Sequence, residues 1–171
     1  SFVIRVDEAF TGTYRNVLHI GDVDNHRTPA IWLNTNDNSF LVIVSTEGDG
    51  NLHNPELNPD FQIAIGEEVH VVYVMEGTAV RFYINGVLSV TLDNGTTAHI
   101  YQEQMYIGDD PWYDGCVGGM HSLCLHDDPL TDAQVQSLYV HDTTSDGYLL
   151  VSAAMTWAAA HAECQSLGRE L

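Results

Sequence analysis

From Phe2 to Leu125 the chain alternates between short runs rich in Val, Ile, Tyr and Phe and clusters of Gly, Asn, Asp and Pro. This punctuation constrains the fold more than any other feature. Runs of this length suit strands better than helices, and their β-branched and aromatic side chains suit a pleated, half-buried surface. The runs fall at residues 2–6, 16–20, 30–33, 39–44, 68–74, 80–84, 87–92 and 119–125. Between the sixth and seventh stands Asn85-Gly86, a two-residue hairpin signal because both turn positions require positive φ. Thr35-Asn36-Asp37-Asn38 reads as a second hairpin tip, and residues 47–60 read as a long loop. The nearly continuous apolar run at 69–74 predicts a strand covered on both faces. About ten short strands with frequent turns predict an all-β fold, an antiparallel β-sandwich of jelly-roll type.

Two helices are expected near the end. The first covers 131–139, capped by Thr131 or by Asp128 before Pro129, with Leu130, Val135 and Leu138 turned inward. The second covers 155–167, with Thr156 as N-cap and Gly168 as its stop. The segment between them reads as a linker at 142–147. It separates a sandwich domain at 1–141 from the start of a second, incomplete domain at 148–171. The first residue is Ser1, and no signal-peptide pattern follows it, so the chain is expected to be an excerpt of a longer one.

Charge narrows the partners. There are 24 acidic residues against 5 basic ones, all arginine, for a formal net charge of −19. Such a surface repels nucleic-acid phosphates and anionic lipid, and no run is long and apolar enough to span a bilayer. The acidity suits either solubility in a salty medium or binding of hard divalent cations. The nine histidines form no H-x-H or H-E-x-x-H grouping, which argues against zinc or copper. Cys116 and Cys124, eight positions apart, suit a local disulfide, which would leave Cys164 to a partner outside the chain. Asn94-Gly95-Thr96 is a glycosylation sequon. These features together predict an extracellular, secreted or cell-surface protein.

Two stretches resemble the laminin-G group of concanavalin-like jelly rolls. One is residues 69–88, a hydrophobic strand, a Gly turn and then Tyr83-Ile84-Asn85-Gly86. The other runs from Met105-Tyr106-Ile107-Gly108 through Gly118-Gly119-Met120-His121-Ser122-Leu123 to Leu138-Tyr139. The chain departs from that pattern at Val117 or Gly118, where the group has an aromatic residue, and at His121 and Ser122. The resemblance implies a sandwich over 1–140. It also implies one Ca²⁺ at a rim between loops, with Asp22, Asp24, Asp109 and Asp110 as the matching ligands. Trp157, Ala160, Cys164, Gly168 and Leu171 are similar to the first helix of C-type-lectin-like domains, which implies that Cys164 pairs far downstream.

The loop residues Trp112, Tyr113 and Asp114 are the candidate ligand contacts. An exposed aromatic pair flanked by carboxylates can stack on a sugar face and bond its hydroxyls, or it can simply anchor the loop on the sandwich. No paired carboxylates stand on one strand as a glucanase requires, since Glu67 and Glu68 are adjacent and point to opposite faces. The chain is therefore expected not to be an enzyme. The leading expectation is an adhesion or recognition module for glycan or extracellular protein. The alternative is a building block of an extracellular filament, surface appendage or matrix, packing against copies of itself. A glycan hydrolase comes third.

Overall fold

A computed structural model describes residues 1–48, 51–53, 56–93, 95–99 and 104–142. The chain forms twelve strands and one helix among these: β1 (Phe2–Val6), β2 (Arg15–Ile20), β3 (Ala30–Leu33), β4 (Phe40–Ile43), β5 (Thr46–Gly48), β6 (Asn51–His53), β7 (Glu56–Leu57), β8 (Glu68–Glu76), β9 (Ala79–Ile84), β10 (Val87–Asp93), β11 (Met105–Ile107), β12 (Gly118–His121) and α1 (Asp132–Asp142). Two five-stranded sheets carry the architecture, ordered β10-β9-β8-β1-β12 and β11-β2-β3-β4-β7, and the named strands pair antiparallel throughout. This is the expected jelly-roll sandwich, with one short helix after the last strand.

The core lies between the sheets. Phe2, Ile4, Val6, Val69, Val71 and Phe82 meet Leu18, Ile31, Leu33, Phe40, Val42 and Met105. Phe40 and Phe82 cross this space with ring centroids 5.4 Å apart. Each such side chain contributes about 1.5–3 kcal/mol on leaving water.

Both predicted hairpin tips form. Leu33 pairs with Phe40 around the Thr35–Asn38 turn, and Ile84 pairs with Val87 around Asn85 and Gly86, whose φ values are 50° and 76°. The strand expected to be covered on both faces is β8: its inner residues join the main core, while Val72 and Val74 lie with Tyr83 under Val135 of the helix. The helix begins at a reciprocal cap. Thr131 N–H and Oγ1 donate to Gln134 Oε1, and Gln134 N–H points back to Thr131 Oγ1. Thr131, rather than Asp128, is the cap. Tyr83 Oη also donates to Asp132 at 2.7 Å, fastening the first turn to the sheet.

The 47–60 segment differs from its expectation as one long loop. It contains the β5–β6 hairpin and β7, which extends the second sheet beyond β4. Backbone hydrogen bonding builds these short strands, so a reading of side-chain periodicity passes over them. The glycosylation sequon's Asn94, most of the 142–147 linker, and the 148–171 segment with Cys164 lie outside the described residues.

Cys116 and Cys124 are not joined in the bridge that the sequence suggested. Cys116 lines a small cavity of about 60 Å³ beside Ile4, Val17 and Met120, and burial pushes its thiol up to about 11. A protonated, enclosed thiol is a poor nucleophile. Alkylation at pH 8, mapped by peptide mass spectrometry, is therefore expected to leave Cys116 unlabelled in the folded protein and to label it in denaturant. Rapid labelling of the native protein would contradict the placement.

Candidate functional site

The outer face of the second sheet carries an unusual apolar surface. Along β3 and β4, Ala30, Trp32, Leu41 and Ile43 are buried there, and Tyr14 and Tyr113 pack onto them. His19 joins this face because β2 bulges: the register steps from Asn16 opposite Trp32 to Leu18 opposite Ile31, leaving Val17 as the extra residue. That shift keeps both Val17 and Leu18 in the inner core. It turns His19 outward, paired with Ala30 on one side and Tyr106 on the other.

The loop after β11 closes over this face, and Asp110 holds it down. Asp110 Oδ1 accepts the backbone N–H groups of Trp112 at 2.8 Å and Tyr113 at 2.7 Å, while its own N–H donates to the Tyr113 carbonyl at 3.0 Å. Its Oδ2 meets His19 Nδ1 at 3.0 Å, and both side chains are fully buried. His19 Nε2 lies 2.7 Å from the His26 carbonyl, which can only accept, so Nε2 carries a hydrogen. One carboxylate thus shapes the turn and ties it to the sheet. The far end of the loop is closed by Asp109, whose Oδ1 accepts the Gly115 N–H at 2.6 Å. A side chain at Gly115 would place Cβ 2.8 Å from the Asp109 nitrogen, so this closure requires glycine. Asp114 contributes its backbone, its carbonyl accepting the Asn16 N–H at 2.8 Å.

Clamped in this way, the aromatic pair is half-buried. Trp112 packs 5.2 Å from His19 and 5.9 Å from Tyr106. Tyr113 packs 4.7 Å from Trp32 and edge-on to Tyr14 at 6.0 Å. Arg27 covers Trp32 with its guanidinium carbon 4.8 Å from the ring centre. Burial pushes the phenols of Tyr106 and Tyr113 up, with the Asp110 carboxylate adding to the shift, so both remain O–H donors through neutral pH.

The pair is also accessible from one side. A groove of about 500 Å³ runs between Gly12, Thr13, Tyr14 and Thr35 on one wall and residues 110–114 on the other. Trp112, Tyr113 and Asp114, the three candidates from sequence, all line it. Three aromatic residues, two threonines and the exposed Asp114 thus line one open cleft. This is the composition of a site that offers an apolar platform and a few fixed polar groups.

The four aspartates expected around Ca²⁺ each contact groups of the protein itself. Asp22 faces His26 Nδ1 at 2.8 Å, and Asp24 faces Arg27 at 3.3 Å. Asp109 and Asp110 serve the loop backbone and His19. Among the described residues, no three His, Cys, Asp or Glu side chains gather as a metal-holding group.

A sequence model of the concanavalin A-like lectin/glucanases superfamily, of the laminin-G type, matches residues 4–136. The chain belongs to this superfamily. Two solved structures show how its fold recurs. The native heptameric SAP-like pentraxin from Limulus polyphemus is 14% identical, with a TM-score of 0.54, over 90% of this chain and 80% of that one. The CBM40 of the Ruminococcus gnavus IT-sialidase is 13% identical, with a TM-score of 0.50, over 81% of each chain. No curated protein matches the sequence significantly. At these identities the likeness to the solved structures is one of fold. Within this laminin-G-type sandwich, the groove is described by the chain's own residues. Among the residues of the groove and its clamp, Tyr14, Thr13, Thr35 and His19 were not evident from sequence.

Proposed function

We propose that this domain is a non-catalytic carbohydrate-recognition module of the extracellular space, and that the groove beside Trp112 and Tyr113 is its binding site. The observation that carries the reading is the convergence of Tyr14, Trp112 and Tyr113 with Thr13, Thr35 and Asp114 around one cleft of about 500 Å³. Aromatic rings accept the apolar face of a pyranose, and the hydroxyls and carboxylate bond its rim. The rings are held by the His19–Asp110 clamp before any ligand arrives, so little ordering cost falls on binding. The fold neighbours support the same class, since one of them is a carbohydrate-binding module by its name.

A glycan array on the intact chain tests this, repeated with EDTA to read any calcium dependence. Binding that is lost in Trp112→Ala is expected. Removal of this ring should cost about 2 kcal/mol, about 30-fold in Kd. Binding unchanged in Trp112→Ala would move the site elsewhere.

A second reading, self-packing in an extracellular assembly, is favoured by β10. This edge strand pairs only with β9 among the described strands and exposes Val87 and Leu88, 65% and 45% accessible, with Val140 of the helix also exposed. Light scattering at rising concentration reads it: a mass increase abolished by Leu88→Lys supports assembly through this edge, and a constant monomer mass rejects it.

A further inference from the structure

The groove has a selectivity that its residues dictate. We propose that it takes uncharged saccharides and rejects those bearing a carboxylate or sulfate. The inference rests on the carbohydrate reading above and names the ligand class.

Among the described residues, no lysine, arginine or histidine lines the cleft. Its two acids divide the work. The Asp110 carboxylate is fully buried and engaged by His19 and two backbone N–H groups. Asp114 stands exposed at the wall, and the bond it makes to Asn16 is through its backbone carbonyl. Among the described lining residues a sugar entering the cleft therefore meets one available charge, and it is negative.

The surrounding cations are committed elsewhere. Arg15, adjacent to Tyr14, is 1% exposed and donates to the carbonyls of Asn34 and Asp37 at 3.2 and 3.0 Å. Arg27, above Trp32, donates to the Asp24 carbonyl at 2.6 Å and pairs with its carboxylate. Arg5 and Arg81, on the opposite sheet, pair with Asp7 and Glu76. All four arginines among the described residues are thus occupied, in a chain of net charge −19. Recognition of an acidic sugar needs a guanidinium or ammonium turned toward it, and like charge across a binding site is a device of rejection. Neutral hydroxyls, by contrast, suit Asp114 as an acceptor and Thr13 and Thr35 as donors or acceptors.

The test uses matched oligosaccharide pairs, in which the second member differs by oxidation of one hydroxymethyl group to a carboxylate. Calorimetry on the intact chain at low and at physiological salt should find the neutral member about tenfold tighter or more in each pair that binds, with the gap narrowing as salt rises. Asp114→Lys should close or invert the gap, and circular dichroism should be unchanged. Equal or tighter binding of the carboxylated member, with the neutral member also bound, overturns the selectivity while leaving the carbohydrate reading intact. If neither member of any pair binds, the carbohydrate reading falls, and the selectivity with it.

Discussion

Replacing Asp110 by alanine is expected to destabilise the domain by about 3–5 kcal/mol and to abolish ligand binding in the same variant. The stability loss follows from what the carboxylate leaves behind. Its removal strands His19 Nδ1 in a site with no exposure, and it orphans the N–H groups of Trp112 and Tyr113. Breaking a buried hydrogen-bonded pair by deleting one partner costs in that range. For a chain of this size it lowers Tm by roughly 10 °C. The binding loss follows from geometry, because the loop carrying both rings loses its attachment to the sheet. Asp110→Asn should recover part of the effect, since an amide oxygen still accepts the two backbone N–H groups. Thermal unfolding and calorimetry on the two variants check both halves. Full stability in Asp110→Ala would show that the clamp is not structural.

Replacing Phe82 by alanine should cost a similar 3–5 kcal/mol while leaving binding by the folded fraction near wild type. Phe82 is fully buried between the sheets and contacts Phe40, on the side of the second sheet opposite the groove. Truncating a core phenylalanine loses transfer energy and opens a cavity that close-packed neighbours fill only in part. The groove is built on the outer face by Trp32, His19 and the 110–114 loop, none of which belongs to the inter-sheet core cluster. Denaturant unfolding should show the lowered midpoint, and titration at low temperature should show a nearly unchanged Kd. Equal damage to binding and stability would mean that the two faces of the sheet are coupled more tightly than their separate clusters indicate.

The contrast between these variants shows what was legible in the sequence. The strands were, because Val71, Val80, Phe82 and their neighbours are β-branched and aromatic residues in short runs bounded by turn formers. The Asn85-Gly86 turn was, because positive φ at two successive positions leaves few alternatives. Trp112 and Tyr113 stood out as aromatics in a polar loop, and the structure packs each ring onto the sheet at the lining of the groove. The role of Asp110 was not legible. Its partner His19 is 91 positions away, and it faces the loop only because the bulge at Val17 reverses the alternation of β2. A strand read at period two places His19 on the wrong face. Asp110 entered the sequence reading as an acid in a turn, and a carboxylate's chemistry gives no sign of which backbone N–H groups or side chain it will meet until its neighbours are known. Thr13 and Thr35 carried no signal, because a threonine in a turn has the same local chemistry wherever the turn lies.

The most direct measurement is a crystal structure of the chain with the tightest saccharide from the array. The sugar is predicted to lie between the Thr13–Tyr14 wall and the 110–114 loop, its ring against Trp112 or Tyr113 and a hydroxyl within hydrogen-bonding distance of the Asp114 carboxylate. A sugar bound outside this groove, on the β10 edge or the helix face, would contradict the account.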